Sequence, residues 1–359
     1  MRLLVVVLLA LVLAAPAAAD RGLLIGVADN SATWASRPRA PLTIAQILGL
    51  RAVRVSVHWH RGQSSLNGDQ RISLTRAITS AWGLRIVLSV TGWGADAPTT
   101  TAGREQFCTF ARDVLRRFPT VNDVAVWNEP NGSFFWRPVS PARYEALLAR
   151  CWDVLHAQEP GVNVIGASTS ARGGGKGSMA PAAFIRGVGA AYRSSGRKKR
   201  ILDTIGHHPY PDSNSEAPWQ PHPTGRTIGQ GDLAKLDGAY ADAFRATVQP
   251  LPGHGGVTVW WLETGYQSKP PEPKRSFYSG RENVRAAEPQ EQGSNLGNAI
   301  RLAYCQPHVG AFFNFQLFDE SNLGGWQSGI LYADGSAKPA YGEVKKVTTD
   351  IAAGALACS

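Results

Sequence analysis

Short apolar runs alternate along this chain with longer stretches in which apolar residues recur every three or four positions. The short runs are Leu23–Val27, Ala52–His58, Leu84–Val90, Val121–Trp127, Val162–Ala167, Ile201–Gly206, Val257–Leu262 and Gly310–Phe315. Each is short, continuous and rich in β-branched or aromatic residues, which predicts strands buried on both faces. Between them, Arg104–Phe118, Pro141–Gln158, Ala180–Ser194, Asp232–Thr247 and Gln290–Cys305 read as helices, and a last helix is expected over Ala340–Ala352. In the first of these, Phe107, Phe110, Ala111, Val114, Leu115 and Phe118 fall on one helical face. Strands that alternate with helices must pair in parallel, because each connection crosses back over the sheet. Eight such units predict an α/β fold, a closed (β/α)8 TIM barrel. An open doubly wound sheet is the alternative, but no GxGxxG follows the first run. The glycine-rich "RGGGKG" at 172–177 lacks P-loop spacing and reads as a flexible loop.

The first residues have a different pattern. Arg2, the apolar run Leu3–Leu13 and the small residues Ala17-Ala18-Ala19 make a secretory signal peptide over 1–19, with cleavage before Asp20. That run is shorter than the roughly 20 residues that span a bilayer. Residues 20–359 are then expected to form a single catalytic domain: an extracellular, secreted monomer with no membrane segment after cleavage. Four cysteines in an exported chain suggest two disulfides. Of the three possible pairings, Cys108–Cys151 with Cys305–Cys358 is favoured, because each joins helices expected to be neighbours. No CxxC or HExxH suggests a metal, and no cofactor is expected. The net charge of +10 raises the possibility of a nucleic-acid partner. The basic residues are scattered, however, apart from Arg197-Lys198-Lys199-Arg200, and no nucleic-acid-binding signature is present, so no specific nucleic acid is expected.

In a barrel of this kind chemistry collects where strands end at their C-terminal side. The second run carries Arg54, the third ends before Trp93, and the fourth delivers Asn128 and Glu129. The sixth leads into His207, His208 and Tyr210, the seventh ends at Glu263, and Trp326 follows the eighth. Two carboxylates from separate strands are the minimum equipment for glycoside hydrolysis: one donates a proton to the leaving oxygen, the other attacks the anomeric carbon or activates water. Aromatic rings suit the C–H faces of sugars. Arg, His, Asn and Tyr bind hydroxyls and tune carboxylates.

The motif "WNEPN", Trp127–Asn131, together with Glu263 in "VWWLETGYQS", resembles retaining glycoside hydrolases of the (β/α)8 clan typified by families 5 and 39, which are cellulase-like and β-xylosidase-like. The resemblance implies Glu129 as acid/base and Glu263 as nucleophile. It implies that Asn128 binds the sugar 2-hydroxyl, that Tyr210 and His208 lie beside the nucleophile, and that Arg54 supports it. The implied substrate is an oligo- or polysaccharide with β linkages, and the implied reaction is double displacement. The third run, however, ends in "SVTGWG" where family 5 carries a histidine. The eighth reads "FNFQLFDE", so Phe315, Phe318 or Trp326 must supply a sugar platform. Trp93, Trp136 and Trp326 each read either as a sugar platform or as packing. Asp319 and Glu320 read as solvated rim charges. The alternative function is a non-catalytic carbohydrate- or wall-binding protein on a degenerate barrel, against which the presence of both glutamates argues.

Overall fold

The computed structural model describes residues 22–173 and 175–358. The signal peptide and its cleavage point lie outside the described residues. Eight parallel strands form a closed barrel in sequence order. They are β1 Leu24–Ala28, β2 Ala52–His58, β3 Arg85–Thr91, β4 Asp123–Val126, β5 Asn163–Ser170, β6 Thr204–His208, β7 Thr258–Thr264 and β8 Val309–Phe315. The helices are α1 Asn30–Thr33, α2 Arg39–Ile47, α3 Gly68–Ser80, α4 Thr101–Arg117, α5 Pro141–Gln158, α6 Pro181–Ser194, α7 Leu233–Phe244, α8 Pro289–Cys305 and α9 Pro339–Ala352. The (β/α)8 expectation therefore holds.

Alternation of side chains along each strand divides the apolar residues into two cores. One lies inside the barrel and includes Ala52, Val87, Ala125, Ile165, Trp260 and Phe313. The other lies between strands and helices and includes Val53, Leu88, Val124, Phe107, Leu148 and Trp261. Adjacent Trp260 and Trp261 thus belong to opposite faces of β7. Inside the barrel, large and small side chains must match. A Cβ on Gly26 would sit 2.4 Å from the Phe313 ring, so β1 yields its space to β8 there.

Helix ends follow ordinary capping chemistry. Ser140 accepts from the Arg143 amide ahead of α5, where Pro141 opens the helix. Asn67 and Gln70 form a reciprocal capping box at α3. The disulfides Cys108–Cys151 and Cys305–Cys358 both form. The first joins α4 to α5, and the second ties the end of α8 to the segment after α9.

Two differences from the sequence reading bear on the site. The fourth strand is shorter than its apolar run, stopping at Val126. Trp127 takes φ 69° and Glu129 φ 41°, a left-handed region that non-glycine residues avoid, so the chain leaves the ladder there. The sixth strand extends past Gly206 to include both histidines. Asp319 is also not a rim charge. It is fully buried against the Lys338 ammonium at 2.9 and 3.0 Å and accepts from Tyr278 Oη at 2.7 Å. A buried carboxylate needs such partners, and this one fixes the loop between β8 and α9.

Candidate active site

The left-handed turn at the end of β4 is repeated on its neighbour, where Ala167 (φ 69°) and Ser168 (φ 41°) interrupt β5. The register between β5 and β6 shifts at the same point. The two turns lock together, since the Glu129 amide donates to Ser168 O at 3.0 Å. Behind them, Trp127 is buried, donates through Nε1 to Phe135 O at 2.9 Å, and packs edge-on against Trp136. Strain of this kind persists only where surrounding packing over-determines it. Its consequence here is that Asn128 and Glu129 are turned toward the mouth of the barrel.

Glu129 and Glu263 meet there with His208; one ligand atom from each lies within 4.8 Å of the others. Glu263 is held on both oxygens. The Arg54 guanidinium bonds Oε2, and Tyr210 Oη donates to Oε1 at 2.8 Å. Burial alone pushes the Glu263 carboxyl up, but His208, Arg54 and the Tyr210 hydroxyl outweigh it and hold the group below the ordinary glutamate value. Burial and the neighbouring Glu263 charge push the Tyr210 phenol well above its usual value, so it stays a donor. Arg54 also donates to Asn128 Oδ1 at 2.7 Å and to Ser89 Oγ at 3.1 Å. Because a guanidinium only donates, the Asn128 amide oxygen must face it, which leaves Nδ2 as a donor for a ligand. His208 binds Glu129 Oε1 through Nδ1 at 2.8 Å. It therefore lies near both carboxylates, with its hydrogen bond going to Glu129 and not to Glu263. His207, on the other face of β6, is fully buried, with Nδ1 against Thr169 Oγ1 and Nε2 against Ile228 O, each at 2.8 Å.

Two cavities open from these residues. The first, of ≈ 220 Å³, is lined by Arg54, Ser56, His58, Trp93, Asn128 and Glu263, among others. The second, of ≈ 400 Å³, is lined by Glu129, Ser170, Arg172, Tyr210, Glu263 and Trp326, among others. Phe134, Phe135 and Phe315 border both. A cavity of ≈ 1000 Å³ at the opposite end of the barrel, near Arg51, Arg85 and Lys345, is reached by none of the expected site residues.

Eight of the nine expected site residues converge: Arg54, Trp93, Asn128, Glu129, His208, Tyr210, Glu263 and Trp326. His208 does so through its bond to Glu129, and the other seven line one or both cavities. Trp136 does not. It is 0% exposed, packed between Trp127 and Tyr144, because the turn after Pro130 folds it inward beneath the site. Phe315 and Trp326 reach the second cavity, whereas Phe318 packs on the core. The sequence places His58 at the end of the second run but reads it as a loop histidine that needs no ligand; in the structure it lines the first cavity and stacks on Trp93 at 5.1 Å, and Arg172, which the sequence reads as part of a flexible glycine-rich loop, lines the second. Burial lowers the pKa of His58, and His60 adds to the effect, which favours the neutral imidazole.

Two groups among the described residues have ligand spacing for a metal: Glu129–His208–Glu263 and Asp212–Glu216–His222. In the first, both Glu263 oxygens are engaged by Arg54 and Tyr210. In the second, Asp212 is paired with Arg172 at 2.8 Å.

No model of a known protein family and no curated protein matches the sequence. Solved structures do share the fold. A family 39 glycoside hydrolase from Bacteroides cellulosilyticus WH2 has TM-score 0.62 at 16% identity, covering 92% of this chain and 64% of that one. A family 39 β-xylosidase from Caulobacter crescentus has TM-score 0.59 at 18% identity, with coverages of 93% and 73%. An exo-β-1,4-mannosidase from Opitutaceae bacterium strain TAV5 has TM-score 0.58 at 16% identity, with coverages of 94% and 61%. The chain thus spans about two thirds of the length of these proteins. At such identities the likeness is one of fold.

Proposed function

We propose that the protein is a retaining glycoside hydrolase with Glu263 as nucleophile and Glu129 as acid/base. The observation that carries this reading is the unequal treatment of two adjacent carboxylates. Glu263 is favoured in its ionised form by His208, Arg54 and Tyr210, whereas among the described residues the side-chain hydrogen bond of Glu129 goes to an imidazole that can either donate or accept. Ligand oxygens within 4.8 Å favour retention, for which the carboxyl groups lie about 5–5.5 Å apart, over inversion at about 6.5–9.5 Å.

In the first step Glu263 attacks the anomeric carbon and forms an ester bond. The glycosidic C–O bond breaks, and the Glu129 proton passes to the departing oxygen. In the second step Glu129 takes a proton from water, the water oxygen attacks the same carbon, and Glu263 leaves as carboxylate. Two inversions give retention. Asn128 Nδ2 is the donor for the adjacent sugar hydroxyl, and Trp93, Phe134, Phe135, Phe315 and Trp326 supply ring faces for an oligo- or polysaccharide. The likeness to family 39 enzymes and to a mannosidase is in keeping with this.

A secreted, extracellular setting is part of the proposal. It is supported by the signal pattern and two disulfides, and no helix of the described residues is long and apolar enough to cross a membrane.

The test is kinetic. Glu263→Ala removes turnover of aryl glycosides and regains it with azide as an α-configured product by NMR. Glu129→Gln slows substrates with poor leaving groups far more than activated ones. Native rates in both variants defeat the proposal, and native protein that binds sugars without cleaving any favours a binding protein.

A further inference from the structure

We propose that the second cavity receives a sugar ring as leaving group, and that Phe134 and Arg172 select for it. This rests on the glycosidase reading. The cavities are chemically unequal. Asn128 and Arg54 line only the first, Glu129 only the second, and Glu263 both. Glu263 must lie under the anomeric carbon, at the junction. Glu129 must reach the departing oxygen, so the departing group lies in the cavity that Glu129 lines.

That cavity is the larger, ≈ 400 Å³ against ≈ 220 Å³. The first is smaller than the roughly 300–1,000 Å³ typical of sites for drug-sized ligands, which suits a single ring, and the second falls inside that range. Phe134, which borders both cavities, is 65% exposed, whereas Arg172 lines only the second. The Phe134 ring packs edge-on against Trp93 and Phe135, which makes a contiguous aromatic patch that a ligand can cover. Trp326 supplies a second ring in the same cavity, set against Tyr210 and Phe315.

The polar partner is Arg172. Nε donates to Asp212 at 2.8 Å, and Nη2 bonds the Tyr210 and Pro211 carbonyls. Nη1 has no partner among the described residues and is left as a donor. Because Asp212 neutralises the charge, the site suits hydroxyl groups rather than requiring an anion. A Cβ on Gly173 (φ 60°) would sit 2.0 Å from Met179 O, so no side chain fits at the position after Arg172. Aromatic faces for C–H surfaces and one fixed donor for hydroxyls describe a sugar leaving group.

Glycosyl fluorides and matched disaccharides separate the two cavities, since fluoride leaves without placing a ring in the second. Glucose, xylose, mannose, galactose and arabinose pairs supply the panel. For Phe134→Ala and Arg172→Gln, the ratio of kcat/KM for disaccharide over fluoride falls roughly three- to tenfold. Phe134→Trp keeps the native ratio. If the disaccharide is cleaved but the ratio is unchanged in Phe134→Ala and Arg172→Gln, or both substrates fall equally, this inference is overturned and the glycosidase reading stands. If the native enzyme cleaves no member of the panel, both fall.

Discussion

The Tyr144 hydroxyl accepts a hydrogen bond from the Ala167 amide at 2.9 Å and donates one to the Val126 carbonyl at 3.0 Å. Val126 ends β4 and Ala167 begins the left-handed turn of β5, so one side chain from α5 satisfies the two backbone groups that the interrupted ladder releases. Buried peptide groups left without partners are costly. Tyr144→Phe keeps the ring packed against Trp136 and Phe184 but leaves both groups unpaired. The expected loss is about 1–3 kcal/mol in urea unfolding, with a fall in kcat as Glu129 loses its fixed direction. A variant as stable as the native protein shows that the turns hold without this bridge.

Little of this support was legible in the sequence. The barrel could be read because each strand is a continuous apolar run, and strand ends are where such folds place chemistry. Glu129 and Glu263 stood out because each closes an apolar run. Trp136 misled for the same local reason: it belongs to the aromatic patch after Glu129, but only the backbone turn decides which rings face out. Arg172 was hidden because the contacts that place it, with Asp212 and with the carbonyls of Tyr210 and Pro211, are all about forty positions away. Asp319 looked solvated because Lys338, its neutralising partner, lies 19 positions on, just ahead of α9.

The Tyr210–Glu263 contact predicts a pH effect. The folded pKa of Glu263 is depressed, so the proposed nucleophile stays ionised to lower pH than an ordinary glutamate would allow. Tyr210→Phe removes one of the groups that depress it. The acid limb of the kcat/KM profile therefore moves to higher pH, while the alkaline limb stays in place. An acid limb that does not move, or moves down, contradicts the assignment of Tyr210.

His207 links stability to pH in its own way. Burial pushes its imidazole down to about 4, against the opposing hydrogen bond to Ile228. In the unfolded chain the ordinary value is about 6.5. Between these values the unfolded state binds a proton that the folded state refuses, so stability falls as pH drops from about 6.5 to 4, by about 3 kcal/mol from this group. Gln does not titrate in this range. The stability advantage of native protein over His207→Gln should therefore shrink steadily across that interval in urea unfolding, and a constant gap sinks this account.

The two disulfides differ in access. Cys108 and Cys151 are both fully buried in the core between α4 and α5, whereas Cys305, at the end of α8, and Cys358, after α9, are only partly buried. A thiolate must reach a sulfur to exchange with it, so access controls which bond opens first. Under mild reductant the folded protein should be alkylated at Cys305 and Cys358 first, with Cys108 and Cys151 modified only on unfolding. The bonds span 43 and 53 residues, and in the chain-entropy account loops of this size are each worth about 4 kcal/mol. Replacing Cys305 and Cys358 together removes partly exposed side chains, so that pair should lower Tm less than replacing Cys108 and Cys151, which also empties space in the packed helix interface. Mass spectrometry of alkylated peptides checks the order, and thermal unfolding of the two double alanine variants checks the ranking. Early modification of Cys108 or Cys151 means that the α4–α5 interface opens without global unfolding.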